Sequence, residues 1–205
     1  MVRVKICGLT NLEDALAAAR LGADALGFVF ADSPRRVEAD TVREIVRRLP
    51  PLVTTVGVFV DQPRDLVLKI TDRCGLDLIQ LHGRETETEA EALGRRVIKA
   101  VAVGDGRRPS TAAYPGCLLL LDSFDARARG GTGRTFDWNL AREVAGHRPV
   151  ILAGGLTPDN VGRAIDLVQP DAVDVCSGVE IFKGKKDHDR MASFIDQVRR
   201  VRRTA

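Results

Sequence analysis

Eight short, nearly continuous apolar runs punctuate the chain, at 2–7, 25–30, 54–60, 78–82, 97–103, 117–122, 149–153 and 172–177. Runs of this kind fit parallel strands buried on both faces, whereas a strand with one wet face alternates apolar and polar residues. The stretches between them carry helical spacing. Asn11 stands where an N-cap belongs, ahead of Leu12, Ala15, Leu16 and Ala19 on one face. Pro158 is placed to open another helix at its first turn, with Val161, Ala164, Ile165 and Val168 as the apolar stripe. Met191, Phe194, Ile195, Val198 and Val201 repeat the spacing near the end of the chain. Eight strands alternating with about eight helices, without a linker or composition shift, predict an α/β protein. The expected architecture is one compact (β/α)8 barrel, a TIM barrel of parallel strands, spanning 1–205 as a single domain. A doubly wound open sheet is the rival, and it lacks a GxGxxG after the first strand. The longest interval follows the sixth run and holds Gly130, Gly131, Thr132 and Gly133, which reads as a mobile lid or clamp.

Composition changes the picture only by exclusion. With 44% hydrophobic and 29% charged residues, the 205-residue chain has material for a sizeable core. A net charge of +3 recommends neither nucleic acid nor a membrane surface as partner. Cys7, Cys74, Cys117 and Cys176 form no CxxC pair, and the first residues lack a signal-peptide pattern. Free thiols in a reducing, cytoplasmic setting are the expectation. No apolar run approaches the roughly 20 residues that span a bilayer.

In barrels of this type the active site is built at the carboxyl ends of the strands. Those ends read Cys7-Gly8, Ser33-Pro34-Arg35-Arg36, Asp61, Gln80-Leu81-His82-Gly83, Asp122, Gly154-Gly155 and Ser177-Gly178-Val179-Glu180. Glycine beside polar groups lets backbone N–H groups approach a ligand. Gly154 and Gly155 after strand seven, with Ser177 and Gly178 after strand eight, occupy the positions where barrels commonly bind a phosphate. The plainer role for the same glycines is to make tight turns. Cys7 is either a small core residue or a pocket thiol whose anion a nearby cation would favour. Asp122 closes an apolar run, so it is either a loop cap or a poorly hydrated carboxyl suited to general acid work. No metal site is indicated.

Strand alternation puts Arg3, Lys5 and Cys7 on one face of the first strand and Val2, Val4 and Ile6 on the other. Lys5 then points into the barrel, where it must be paired or lose its charge, and Asp174 of strand eight is the expected partner. The chemical alternative for Lys5 or Lys99 is a Schiff-base lysine. Cys74, Cys117 and Cys176 read as packing residues. His188 falls in the polar stretch Lys185-Lys186-Asp187-His188-Asp189 and reads as solvated, while His147, at the bottom of strand seven, has no place at the mouth.

Taken together, Lys5-Ile6-Cys7-Gly8-Leu9-Thr10, Gly27-Phe28-Val29-Phe30, Ser33-Pro34-Arg35, Gln80-Leu81-His82-Gly83 and Leu121-Asp122 resemble the phosphoribosylanthranilate isomerases of tryptophan biosynthesis. The match continues through Phe136-Asp137-Trp138, Ala153-Gly154-Gly155-Leu156, Asn160-Val161, Asp174-Val175 and Ser177-Gly178-Val179-Glu180, in family order over nearly the whole chain. The resemblance implies a cofactor-free Amadori rearrangement of N-(5-phosphoribosyl)anthranilate. It makes Asp122 the general acid at the furanose oxygen and Cys7 the thiolate base at ribose carbon two. It gives Arg35 the anthranilate carboxylate and a share in holding the Cys7 thiolate, although Arg36 follows directly. Gln80, His82 and Asp174 are implied as further substrate-binding residues. The implied partner is a small phosphosugar, bound by a monomer or homodimer. The alternatives are an isomerase of the histidine-pathway aminoaldose, alone or as a second activity, and a non-catalytic phosphosugar-binding barrel.

Overall fold

The computed structural model describes residues 1–104, 110–123 and 137–201. Eight parallel strands close into a barrel in chain order: β1 (Arg3–Ile6), β2 (Ala25–Val29), β3 (Thr54–Phe59), β4 (Leu78–Leu81), β5 (Val97–Val103), β6 (Leu118–Ser123), β7 (Val150–Leu152) and β8 (Ala172–Val175). β8 closes the ring by pairing with β1, which places Lys5 opposite Asp174. The open-sheet alternative is therefore excluded.

Seven α-helices lie among the described residues: α1 (Leu12–Leu21), α2 (Ala39–Val46), α3 (Arg64–Cys74), α4 (Glu87–Ala92), α5 (Trp138–Ala145), α6 (Val161–Val168) and α7 (His188–Arg200). Asn11 caps α1 as expected, its side chain accepting from Asp14 N at 2.9 Å. The outward faces of the strands and the inner faces of the helices form one apolar layer, with Val4, Ile6, Leu26, Phe28, Leu119, Leu121, Val173 and Val175 buried in it. A second cluster, Val56, Ile98, Leu120, Ile151 and Ala153, fills the barrel interior. The period of two separating the clusters along each strand decides what can reach the mouth: Gln80 follows Leu78, and Asp122 follows Leu120.

Two expectations need correction. Between β5 and β6 the described residues 110–117 make turns and no helix. Tyr114 there adopts a left-handed backbone (φ 53°), and Pro115 and Gly116, both poor helix residues, follow it. Tyr114 covers the strands instead, its hydroxyl donating to Glu85 O at 2.9 Å and its ring lying 5.7 Å from Lys99 Nζ. α6 begins at Val161, and Pro158 lies in the preceding turn. Asn160 locks that turn, accepting from Thr157 N at 2.8 Å and donating to Gly155 O at 2.9 Å. The stripe itself is as expected, with Val161, Ala164, Ile165 and Val168 all buried.

Beyond β8 the chain makes a 3₁₀ turn (Ser177–Val179) and an antiparallel hairpin of β9 (Glu180–Phe182) and β10 (Lys185–Lys186), which the apolar pattern does not announce. A buried carboxylate, Asp14 of α1, ties this hairpin down. It accepts from Lys186 N at 2.9 Å and Lys185 Nζ at 3.1 Å, and lies 2.8 Å from His188 Nε2. His188 is thus paired rather than simply solvated. Against the cost of burial, these hydrogen bonds hold the Asp14 carboxyl below its ordinary range. No helix among the described residues is long and apolar enough to cross a membrane.

Candidate active site

Cys7 follows β1 directly, and its backbone N–H donates to Val175 O at 2.8 Å, which extends the β1–β8 ladder by one rung. The chain then turns sharply at Gly8, whose φ of 72° is a left-handed conformation that favours glycine. A Cβ there would also stand 2.7 Å from Arg35 Cδ and 2.8 Å from Cys176 Sγ, so glycine is required by space as well. This turn leaves Cys7 at the inner rim, 7% exposed.

Lys5, one inward step below, donates to Asp174 Oδ1 at 2.8 Å. The pair expected from strand alternation is present. Both groups are buried, so removing either partner alone would leave an uncompensated charge, at a cost of about 3–5 kcal/mol. Lys99 belongs elsewhere. It lies between Ile98 and Ala100, whose side chains join the interior cluster, and so faces outward. There it donates to Glu85 Oε2 and to Gly83 O, both at 2.7 Å. Glu85 also accepts from Asp61 N and Gly83 N, which makes it the organiser of the loops after β3 and β4. Both lysines are ion-paired, and the Schiff-base alternative finds no unpaired amine in either.

Across the mouth, Asp122 Oδ1 accepts from Ser123 N at 2.8 Å, and Oδ2 lies 3.2 Å from His82 Nε2. Gln80 Nε2 sits 3.0 Å from His82 Nδ1. With that amide donating, the ring proton is on Nε2 and points at Asp122. Gln80, His82 and Asp122 therefore form one chain of contacts, and Gln80 Oε1 is buried with no hydrogen-bond partner among the described residues.

The adjacent arginines differ in burial. Arg35 is 8% exposed, whereas the Arg36 side chain is 57% exposed and lies 3.6 Å from Glu38. Arg35 Nε and Nη2 donate to Glu180 at 2.8 and 2.6 Å, a forked pair that fixes the guanidinium plane. Despite the cost of burial, Arg35 and Lys186 hold the Glu180 carboxyl below its usual range. Lys186 is fully buried, with Nζ donating to Glu180 Oε1 and Cys176 O, both at 3.0 Å. In the sequence Lys186 is one charge of a polar stretch, and Glu180 carries no expected role. The available signal was that Glu180 shares the strand-eight loop with Ser177 and Gly178.

The two glycine pairs lie in adjoining loops. Gly154 and Gly155 have φ of 83° and 64°, and Gly178 packs so closely on Leu156 O that a side chain could not fit. Ser177 opens the 3₁₀ turn beside them. Gly130, Gly131 and Gly133, the expected lid, lie outside the described residues.

Residues 4–197 match the family described as N-(5'phosphoribosyl)anthranilate (PRA) isomerase. The chain belongs to that family. This isomerase is 52% identical to the N-(5'-phosphoribosyl)anthranilate isomerase of Pseudomonas aeruginosa, over 98% of its own length and 97% of the relative's. It is 50% identical to the Moorella thermoacetica protein of the same name, over 98% and 91% of the two chains. The crystal structure of phosphoribosyl anthranilate isomerase from Thermotoga maritima aligns with a TM-score of 0.91 at 44% identity, covering 97% of this chain and 99% of that one. An isomerase crystallised with reduced 1-(o-carboxyphenylamino)-1-deoxyribulose 5-phosphate aligns at 0.87 and 43% identity, with 97% and 99% covered. The resemblance read from the motifs is borne out, and the activity is that of a phosphoribosylanthranilate isomerase in tryptophan biosynthesis.

Proposed function

We propose that this isomerase carries out its Amadori rearrangement with two protein groups and no cofactor. Asp122 protonates the furanose ring oxygen of N-(5-phosphoribosyl)anthranilate, and the anilino nitrogen pushes the ring open to an iminium. Cys7, as thiolate, removes the proton from carbon two, giving an enolamine. Tautomerisation, with a proton added at carbon one and the carbon-two hydroxyl becoming a ketone, yields 1-(2-carboxyphenylamino)-1-deoxy-D-ribulose 5-phosphate. The substrate nitrogen supplies the electron pair that a cofactor would otherwise provide, so one acid and one base suffice.

One observation carries this reading: a thiol and a carboxylate, both buried, end β1 and β6 on their inward sides. Around them, Arg35 is the proposed ligand of the anthranilate carboxylate. Glu180 takes Nε and Nη2, and Nη1 makes no hydrogen bond among the described residues, which leaves that edge for a carboxylate. Gln80 Oε1, buried and without a partner, would accept from a ribose hydroxyl, and His82 would steer Asp122. Asp174 acts on the substrate only at one remove, through Lys5. The left-handed backbone at Gly154 and Gly155, beside Ser177 and Gly178, supports phosphate binding by backbone amides. The proposed setting is the cytoplasm, with the four cysteines free, and the assembly is a monomer or homodimer of one barrel domain.

The test follows substrate fluorescence as phosphoribosylanthranilate is consumed, beside a parallel assay with the histidine-pathway aminoaldose. The expected result is turnover of the first substrate alone. Turnover of both would establish a bifunctional barrel, and turnover of neither would favour a binding protein.

A further inference from the structure

Gly27 of β2 lies beside Cys7 and has no side chain. A Cβ at that position would stand 2.7 Å from Cys7 Sγ and 3.2 Å from Lys5 Nζ. The thiol and the ammonium therefore share one recess above Gly27. Lys5 is anchored from the other side by Asp174 Oδ1 at 2.8 Å, and both members of that pair are buried. Arg35, by contrast, has two of its donors committed to Glu180.

We propose that Lys5, anchored by Asp174, is the positioning cation of the active site, holding Cys7 as the sulfur anion that takes the carbon-two proton. This rests on the reading of Cys7 as the base, and it transfers to Lys5 the thiolate-holding role that family resemblance gives to Arg35.

The surroundings support the assignment. Burial leaves the Cys7 thiol above its ordinary range, and the Lys5 charge is the largest influence opposing that rise. Burial also works against the Lys5 ammonium, but Asp174 and the thiol outweigh it and keep Lys5 above the ordinary lysine range. Lys5 thus stays charged near neutrality. Of the other groups facing the thiol, Lys186 of β10 and Arg35 favour the anion, while Asp174 of β8 opposes it less strongly than Lys5 favours it. Cys176, after β8, is pushed by burial up to about 12 and remains a neutral thiol.

Without the Lys5 charge, burial acts unopposed by its main counterweight and the Cys7 midpoint rises. Two readouts test this: ultraviolet thiolate absorbance against pH with Cys7→Ser as blank, and the ascending limb of the kcat/KM profile. Lys5→Met is expected to raise both midpoints by about one pH unit or more, lowering kcat/KM near neutrality about tenfold, mainly in kcat. Lys5→Arg, which keeps the charge, should restore the wild-type midpoint. If Lys5→Met leaves Asp174 too exposed to its own charge to fold, the double variant Lys5→Met/Asp174→Leu replaces the pair by apolar groups, a change that folds tolerate. Its midpoint should still rise, by less. An unchanged or lowered midpoint in Lys5→Met, or in the double variant where only that one folds, overturns the proposal, since a purely structural lysine would alter thermal stability and leave the titration in place. The absorbance reads Cys7 without turnover, so an active Cys7→Ser enzyme would overturn the base assignment separately.

Discussion

Cys7→Ser is expected to abolish turnover of phosphoribosylanthranilate while leaving the binding of a reduced product analogue largely intact. Serine fits the same recess between Gly27 and the β8 ladder, so the barrel rim should keep its shape. What disappears is acidity: a hydroxyl holds its proton far more tightly than a thiol, and the Lys5 charge is too small an influence to make it an anion at neutral pH. Removal of a positioned base typically costs about 10²–10⁴-fold in rate. The check is steady-state fluorescence for turnover with calorimetry for analogue binding. Unchanged turnover would remove Cys7 from the base position.

Asp122→Asn is expected to be about as inactive, for a different reason. The amide preserves the outline of the side chain and its oxygen can keep the contact to Ser123 N, yet it has no acidic proton to deliver to the ring oxygen. Ring opening would then have to expel an alkoxide. A fall below about tenfold, equivalent to about 1.4 kcal/mol in the barrier, would reject Asp122 as the acid. A large fall with retained analogue binding places the loss in the chemical step.

The parts of this site that were legible in the sequence are those governed by strand periodicity. Alternation along β1 and β8 was enough to bring Lys5 and Asp174 together, because a period of two fixes which side chains share the barrel interior. The same rule separates Lys99 from the mouth, since its neighbours Ile98 and Ala100 point inward. The Ser-Pro-Arg motif points to Arg35 rather than Arg36, and of the two Arg35 is the buried one.

What escaped the sequence lies in loops, where no period says which way a side chain points. Lys186 looks like a solvated residue among charged neighbours, yet the β9–β10 hairpin turns it inward onto Glu180 and Cys176. His188 meets a buried Asp14 that sequence places far away, on the first helix. That the described residues 110–117 after β5 form no helix is a matter of backbone preference: the left-handed Tyr114 and the Pro115-Gly116 pair stop a pattern that counting strands and helices would continue. Glu85, which holds Lys99 and two loop amides, carries no motif at all.

The central claim is that one barrel mouth presents Cys7 to carbon two and Asp122 to the former ring oxygen. A structure of this isomerase bound to the reduced product analogue tests it most directly. The expected result is Cys7 Sγ within about 3.5 Å of carbon two, with an Asp122 oxygen at hydrogen-bond distance from the carbon-four hydroxyl that ring opening releases. An analogue seated with carbon two away from Cys7, or with its phosphate away from the loops after β7 and β8, would contradict it.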